Sequence, residues 1–170
     1  MSKAKRRRKP KELIKIRLPF GGVSTLNAYR NQHYYKKNNE KKRWADLVYK
    51  ALAKAGVDAT KLRTSSKKKR KREKTHWCPY QFRQPVELIF VFHYPDNRVR
   101  DLDGMAVYEK YSGDALEDYD LIEADDRRYV MSIRKYVGTN DAEGKGYVDL
   151  FIRPFDTAEF NVLLKDIKAD

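Results

Sequence analysis

Arg98–Val99–Arg100–Asp101–Leu102–Asp103 leaves an apolar run and enters a stretch with helical spacing. In extended backbone, residues two apart point the same way, so Asp101 and Asp103 converge while Leu102 turns towards the core. Hard divalent cations such as Mg²⁺ bind through a few carboxylate oxygens and keep several waters, one of which can act as a nucleophile in hydrolysis. Arg98 and Arg100 suit the phosphate that such an ion would polarise. A second acidic pair, Asp125–Asp126, stands just before the next strand-like stretch. If that strand pairs beside the apolar run, Asp126 arrives at the same end of the sheet. The plain alternative is that Asp-x-Asp before a helix is a cap followed by a surface acid, because Asp is a favoured cap.

These carboxylates need a scaffold. Ile14, Ile16 and Leu18 alternate with Lys15 and Arg17, which predicts a half-buried strand over Leu13–Leu18. Ser24 to Asn39 is polar and aromatic and reads as a loop. Trp44, Leu47, Val48, Ala51, Leu52 and Ala55 recur at three- and four-residue steps, predicting a helix from about Glu40 to Ala55 that Gly56 stops. Val86–Tyr94 is apolar on both faces in its middle, as a central strand would be. A helix is expected from about Asp103 to Leu116, then strands over Arg128–Val137 and Tyr147–Ile152. A last helix is expected from Asp156, with Glu159 completing a capping box and Phe160, Leu163, Leu164 and Ile167 forming its stripe. The predicted architecture is a single α+β domain over residues 12–170, a mixed sheet flanked by helices.

The charge is unevenly placed. Of the formal +14, residues 1–11 carry seven bases and no acid, and residues 61–74 carry nine bases and one acid. The remainder is close to neutral. Residues 1–11 read as a disordered basic arm, and residues 57–84 as a long loop around Lys67, Lys68, Lys69, Arg70, Lys71 and Arg72. Such runs favour polyanions, and each phosphate they neutralise makes binding more salt-sensitive. The single cysteine, Cys78, excludes an internal disulfide. No apolar run is long enough to span a membrane and no secretory signal follows the basic arm, so a cytoplasmic protein without membrane contact is expected.

Arg100–Asp101–Leu102–Asp103, Asp114–Ala115–Leu116 and Asp125–Asp126, in that order, resemble the signature of RusA-type Holliday-junction resolvases. The resemblance covers Val86 to Tyr136, with weaker echoes at Ile14–Pro19, Ser24 and Asn27. It implies a RusA-like fold and a homodimer that uses Mg²⁺, with Mn²⁺ able to substitute, to cut branched DNA symmetrically in a bacterial or phage-infected cell. Carried over, Asp101, Asp103 and Asp126 become metal ligands. Lys110, four residues before Asp114, becomes the residue that stabilises charge at the scissile phosphate. Two features depart from the family pattern. Gly104 stands where the family prefers Asn, and the spacing from Asp101 to Asp114 is about three residues longer, almost one helical turn.

Arg98, Arg100 and the Lys67–Arg72 run are the expected DNA contacts. Tyr29, Arg30, Tyr34 and Tyr35 suit stacking on unpaired bases or, equally, loop packing. His33, His76 and His93 lack metal-ligand spacing. Two other readings stay open: a non-catalytic RusA-like DNA-binding or regulatory protein, and a basic RNA-associated protein in which Asp101–Asp103 is only a cap.

Overall fold

The computed structural model describes residues 13–57, 82, 84–98, 100–119, 121–158 and 161. The basic arm, the Lys67–Arg72 run, His76, Cys78, Glu159, Phe160, Leu163, Leu164 and Ile167 lie outside the described residues.

The chain forms an α+β domain around a four-stranded mixed sheet. Strand β1 is Ile14–Pro19, β2 is Val86–His93, β3 is Val130–Val137 and β4 is Tyr147–Pro154. Their order across the sheet is β1-β4-β2-β3. The β1–β4 and β4–β2 pairs are antiparallel, whereas β2 and β3 run parallel. Helix α1 is Leu26–Arg30, α2 is Tyr34–Lys54 and α3 is Ala106–Asp118. A 3₁₀ turn, Asp103–Met105, leads directly into α3.

Strand periodicity puts alternate side chains on one face. Ile16 of β1, Leu150 of β4 and Phe90 of β2 lie in register across the sheet, all buried. Leu88 with Ile152 and Phe92 with Val148 repeat the pattern. This face packs against the α2 stripe Trp44, Val48 and Leu52 and the α3 residues Tyr108, Tyr111 and Leu116 in one core. Polar bonds also tie α2 to α3, among them Tyr111 Oη–H donating to the Lys37 carbonyl at 3.2 Å. Trp44 Nε1 donates to Ser112 Oγ at 3.0 Å in the buried seam, and Lys41 pairs with Asp114 at 2.7 Å. The Asp114–Ala115–Leu116 motif is therefore scaffold here, one ion pair and two core residues.

The opposite sheet face carries two sealed carboxylates. Asp149 is 3% exposed, with Arg17 Nε at 2.8 Å and Lys15 Nζ at 3.0 Å. Burial raises its pKa, but the hydrogen bonds from Arg17 and Lys15 outweigh that and leave it below the usual carboxylate range. Glu87, 1% exposed, accepts from Arg153 and Ser132 and pairs with Arg134.

The predicted strands are all present, and β2 is indeed interior. The predicted loop over Ser24–Asn39 is not. Helix α1 lies within it, and α2 begins at Tyr34 rather than near Glu40. Tyr34–Asn39 has no buried apolar residue, so hydrophobic spacing is silent there; His33 caps it, its Nδ1 accepting from Tyr35 N–H. Asp156 Oδ1 accepts the Ala158 N–H at 2.8 Å, as a capping aspartate does. Among the described residues, no helix is long and apolar enough to cross a membrane.

Candidate active site

β1 and β2 each lie antiparallel to β4, so they run in the same direction and end at the same edge of the sheet. Beyond that edge the two exits meet. Phe20 and Gly21 follow β1, Tyr94 to Asp103 follow β2, and α1 closes over them. Together they form a half-open cavity of about 570 Å³ lined by Asp101, Asp103, Arg100, Asn27 and Arg30, with Phe20, Val23, Leu26, Met105 and Tyr108 as its apolar wall.

The loop entering the cavity is built around Asp96. Its carboxylate takes a two-point contact from Arg100, Nη1 at 2.6 Å and Nη2 at 3.0 Å, and accepts the Arg98 N–H at 3.0 Å. These bonds, the Arg100 pair foremost, hold the Asp96 pKa at about 2. Arg100 also lies over the rings of Phe20 and Tyr94, its guanidinium carbon 5.6 and 5.0 Å from their centroids. Arg100, expected to hold a phosphate, therefore already organises the loop, while Arg98 remains 84% exposed.

Asp101 and Asp103 are both exposed on this cavity, but not through the extended backbone expected: Leu102 is right-handed helical, φ −63° and ψ −27°, and Asp103 starts the 3₁₀ turn. The cap expected on the plain reading is present as well. Asp101 Oδ1 accepts the Asp103 N–H at 2.9 Å, and its carbonyl accepts from Gly104 N–H. One oxygen of one carboxylate is thus used structurally. Gly104 lines the cavity, and a Cβ added there would meet nothing within 4 Å.

Tyr94 packs against this wall: it is 3% exposed, its ring lies edge-on to cavity-lining Phe20, and its buried hydroxyl has no hydrogen-bond partner among the described residues. Burial raises its pKa; the nearby Arg100 opposes this and Asp101 adds to it.

The other two expected site residues stand elsewhere. Because β2 and β3 are parallel, with Val130 beside Val86, Asp126 comes to the start of β2, whereas Asp101 follows its end. The 13 residues of α3 lie between them, about 20 Å of helix at 1.5 Å per residue. The strand does pair beside β2 as anticipated, but its direction sends Asp126 to the opposite end of the sheet. There Asp126 accepts from the backbone and side chain of Arg128, which lowers its pKa. Lys110 is exposed on α3, about 200° around the helix from the buried Tyr108, and does not line the cavity. No group of three His, Cys, Asp or Glu side chains among the described residues is placed to hold a metal ion.

The sequence reading named Asn27 and Arg30 but missed that α1 carries them to the same cavity as Asp101 and Asp103. Thr25, Leu26, Asn27 and Arg30 reach the cavity from more than seventy residues upstream of Asp101. Buried Glu40 holds this segment in place. It accepts from Ser24 Oγ at 3.0 Å and Gln32 Nε2 at 2.9 Å, and also from Ser24 N–H. A glutamate inside the polar start of α2 was the available signal. Of the expected stacking residues, Tyr29 packs edge-on against Tyr111, while Tyr34 and Tyr35 are 61% and 72% exposed.

A divalent ion can be assessed against these donors. Mg²⁺ is commonly held by one or two carboxylates, with waters and substrate phosphate completing its shell. Asp101 and Asp103, the two carboxylates that line the cavity, fit that pattern. No family model matches the chain, and no curated protein is similar to it.

Proposed function

We propose that this chain is a RusA-type endonuclease that hydrolyses phosphodiesters of branched DNA with Mg²⁺ or Mn²⁺ bound at Asp101 and Asp103. The observation that carries this reading is that both carboxylates share one cavity with Arg30 and Asn27. The bound ion supplies Lewis-acid polarisation of the phosphodiester and a more acidic water. Asp101 keeps one oxygen on the Asp103 N–H and offers the other, which fixes its direction. Arg30 takes the charge-stabilising role expected of Lys110, because it reaches the cavity and Lys110 does not. Arg98 and the Lys67–Arg72 run supply phosphate contacts along the substrate arms.

A homodimer accompanies this reading, since symmetric cutting of a junction needs two equivalent sites. β3 suits the interface. It is an edge strand whose Met131, Ile133, Tyr136 and Val137 are all 45–56% exposed. A long edge with apolar side chains invites pairing by another chain.

A second reading rests on a specific observation. The Asp101 carboxylate caps the turn, and Asp126 and Lys110 stand away from it, as in a relative that binds junctions without cutting them. The deciding experiment incubates the protein with a synthetic four-way junction, linear duplex and structured RNA, in Mg²⁺ or EDTA. Paired nicks in the junction only with Mg²⁺ are the expected result. Tight junction binding without nicks selects the second reading, and a preference for RNA overturns both.

A further inference from the structure

A phosphodiester and its metal need only a carboxylate-bearing surface. The carboxylates line a half-open cleft of about 570 Å³, a volume in the range of pockets that take whole small molecules. Its chemistry is divided. Phe20, Leu26 and Met105 form an apolar wall, the carboxylates and Arg30 stand at the charged side, and Asn27 presents an exposed amide. A charged phosphate gains nothing from the apolar wall. An aliphatic chain gains nothing from Asn27. A flat ring with polar edges uses both.

We infer that this cavity takes a single nucleobase, unstacked from the DNA beside the scissile phosphate, with its face on the Phe20–Leu26–Met105 wall and its edge read by Asn27. This rests on the nuclease reading of Asp101 and Asp103 and adds a specificity-determining residue to it. Nucleobases taken out of the stack are held between apolar or aromatic side chains and read by hydrogen bonds to their edge. An asparagine amide offers both donor and acceptor to that edge, and such contacts discriminate between bases. The pocket and the carboxylates are adjacent, so the base and its own phosphate can be engaged together. Branch points are where unpairing costs least, which ties the pocket to branched substrates.

The test uses the full-length protein, Asn27→Ala, and Leu26→Trp, which puts a larger side chain on the apolar wall and leaves both carboxylates in the sequence. Junctions carrying each of the four nucleotides at the cleavage position are cut in Mg²⁺. Permanganate reactivity of thymines at the branch is read separately in EDTA, where cutting plays no part. Wild type is expected to favour one nucleotide by about tenfold or more, and to make one branch thymine hyper-reactive. Asn27→Ala should flatten the preference to within about twofold while still cutting. Leu26→Trp should bind the junction but lose the hyper-reactive thymine. Cutting by wild type with unchanged preference and reactivity in both variants overturns the pocket and leaves the nuclease reading standing. Hyper-reactivity without cutting retains the pocket and removes the nuclease. Absence of DNA binding overturns both.

Discussion

Asp101 is the residue at which a structural cap and a metal ligand make opposite forecasts. Its side chain makes one hydrogen bond within the turn, to Asp103 N–H at 2.9 Å, and is otherwise exposed on the cavity. Losing such a cap to alanine costs about 1 kcal/mol. In a chain of this size that lowers Tm by about 2–4 °C. Asparagine caps as well as aspartate, so Asp101→Asn should melt within about 1 °C of wild type. Asparagine is nevertheless a neutral and poorer ligand for a hard cation. Junction cutting by Asp101→Asn should therefore fall by more than about a hundredfold, beyond the 10–100-fold loss typical of outer-shell partners of a metal. Mg²⁺ at ten times its dissociation constant should contribute about 1.4 kcal/mol to wild type, raising Tm by about 3–6 °C. Asp101→Asn should lose that increment. Calorimetry with and without Mg²⁺, paired with a nicking assay, reads both quantities on the same samples. If Asp101→Asn cuts within about twofold of wild type and keeps the Mg²⁺ shift, Asp101 is only a cap and the metal assignment fails.

Three further outcomes follow from the same geometry. Glu40→Ala leaves the Ser24 and Gln32 donors without their buried acceptor, and denaturant unfolding should show a loss of about 2–4 kcal/mol at about 1–3 kcal/mol per orphaned group; a loss below about 0.5 kcal/mol would mean the α1 segment is held otherwise. Gly104→Asn enters open space and should fold with stability equal to or up to about 1 kcal/mol above wild type, because asparagine narrows the unfolded ensemble; a lowered melting temperature would contradict the open geometry. Asp96, held at about 2 by Arg100 and Arg98, has a depressed folded-state pKa, so its contribution is present above the ordinary carboxylate value near 4 and is lost as pH falls through about 2; a carboxyl NMR titration should place its midpoint near 2 and higher in Arg100→Ala, still below the ordinary value because the Arg98 N–H bond remains, whereas an ordinary midpoint in wild type would show the clamp absent in solution.

The strands were legible because each buries one face. Alternation in Ile14–Leu18 and the two-sided run in Val86–Tyr94 follow directly from where water is excluded. The stripe of α2 was legible from Trp44 to Leu52 for the same reason, and its first turns were hidden because they face solvent. Asp101 and Asp103 were readable as candidate residues, but the extended backbone expected to align them is replaced by a helical Leu102 and a 3₁₀ turn, which alternation does not reveal. Where Asp126 and Lys110 stand was not readable, because their place depends on strand direction and helix phase rather than on local pattern. Hydrophobic alternation is the same in parallel and antiparallel pairing, so nothing within Arg128–Val137 reveals that β3 runs with β2 and leaves Asp126 at the far end. Nor does local pattern join α1 to Asp101. That meeting is made by β1 and β2 ending at one edge and by Glu40 holding Ser24 and Gln32 in the core. The sequence by itself determined which residues could do chemistry and which faces would be dry. Tertiary structure decided which of them meet, because hydrogen bonds between distant strands and one buried carboxylate set the directions that local preferences leave open.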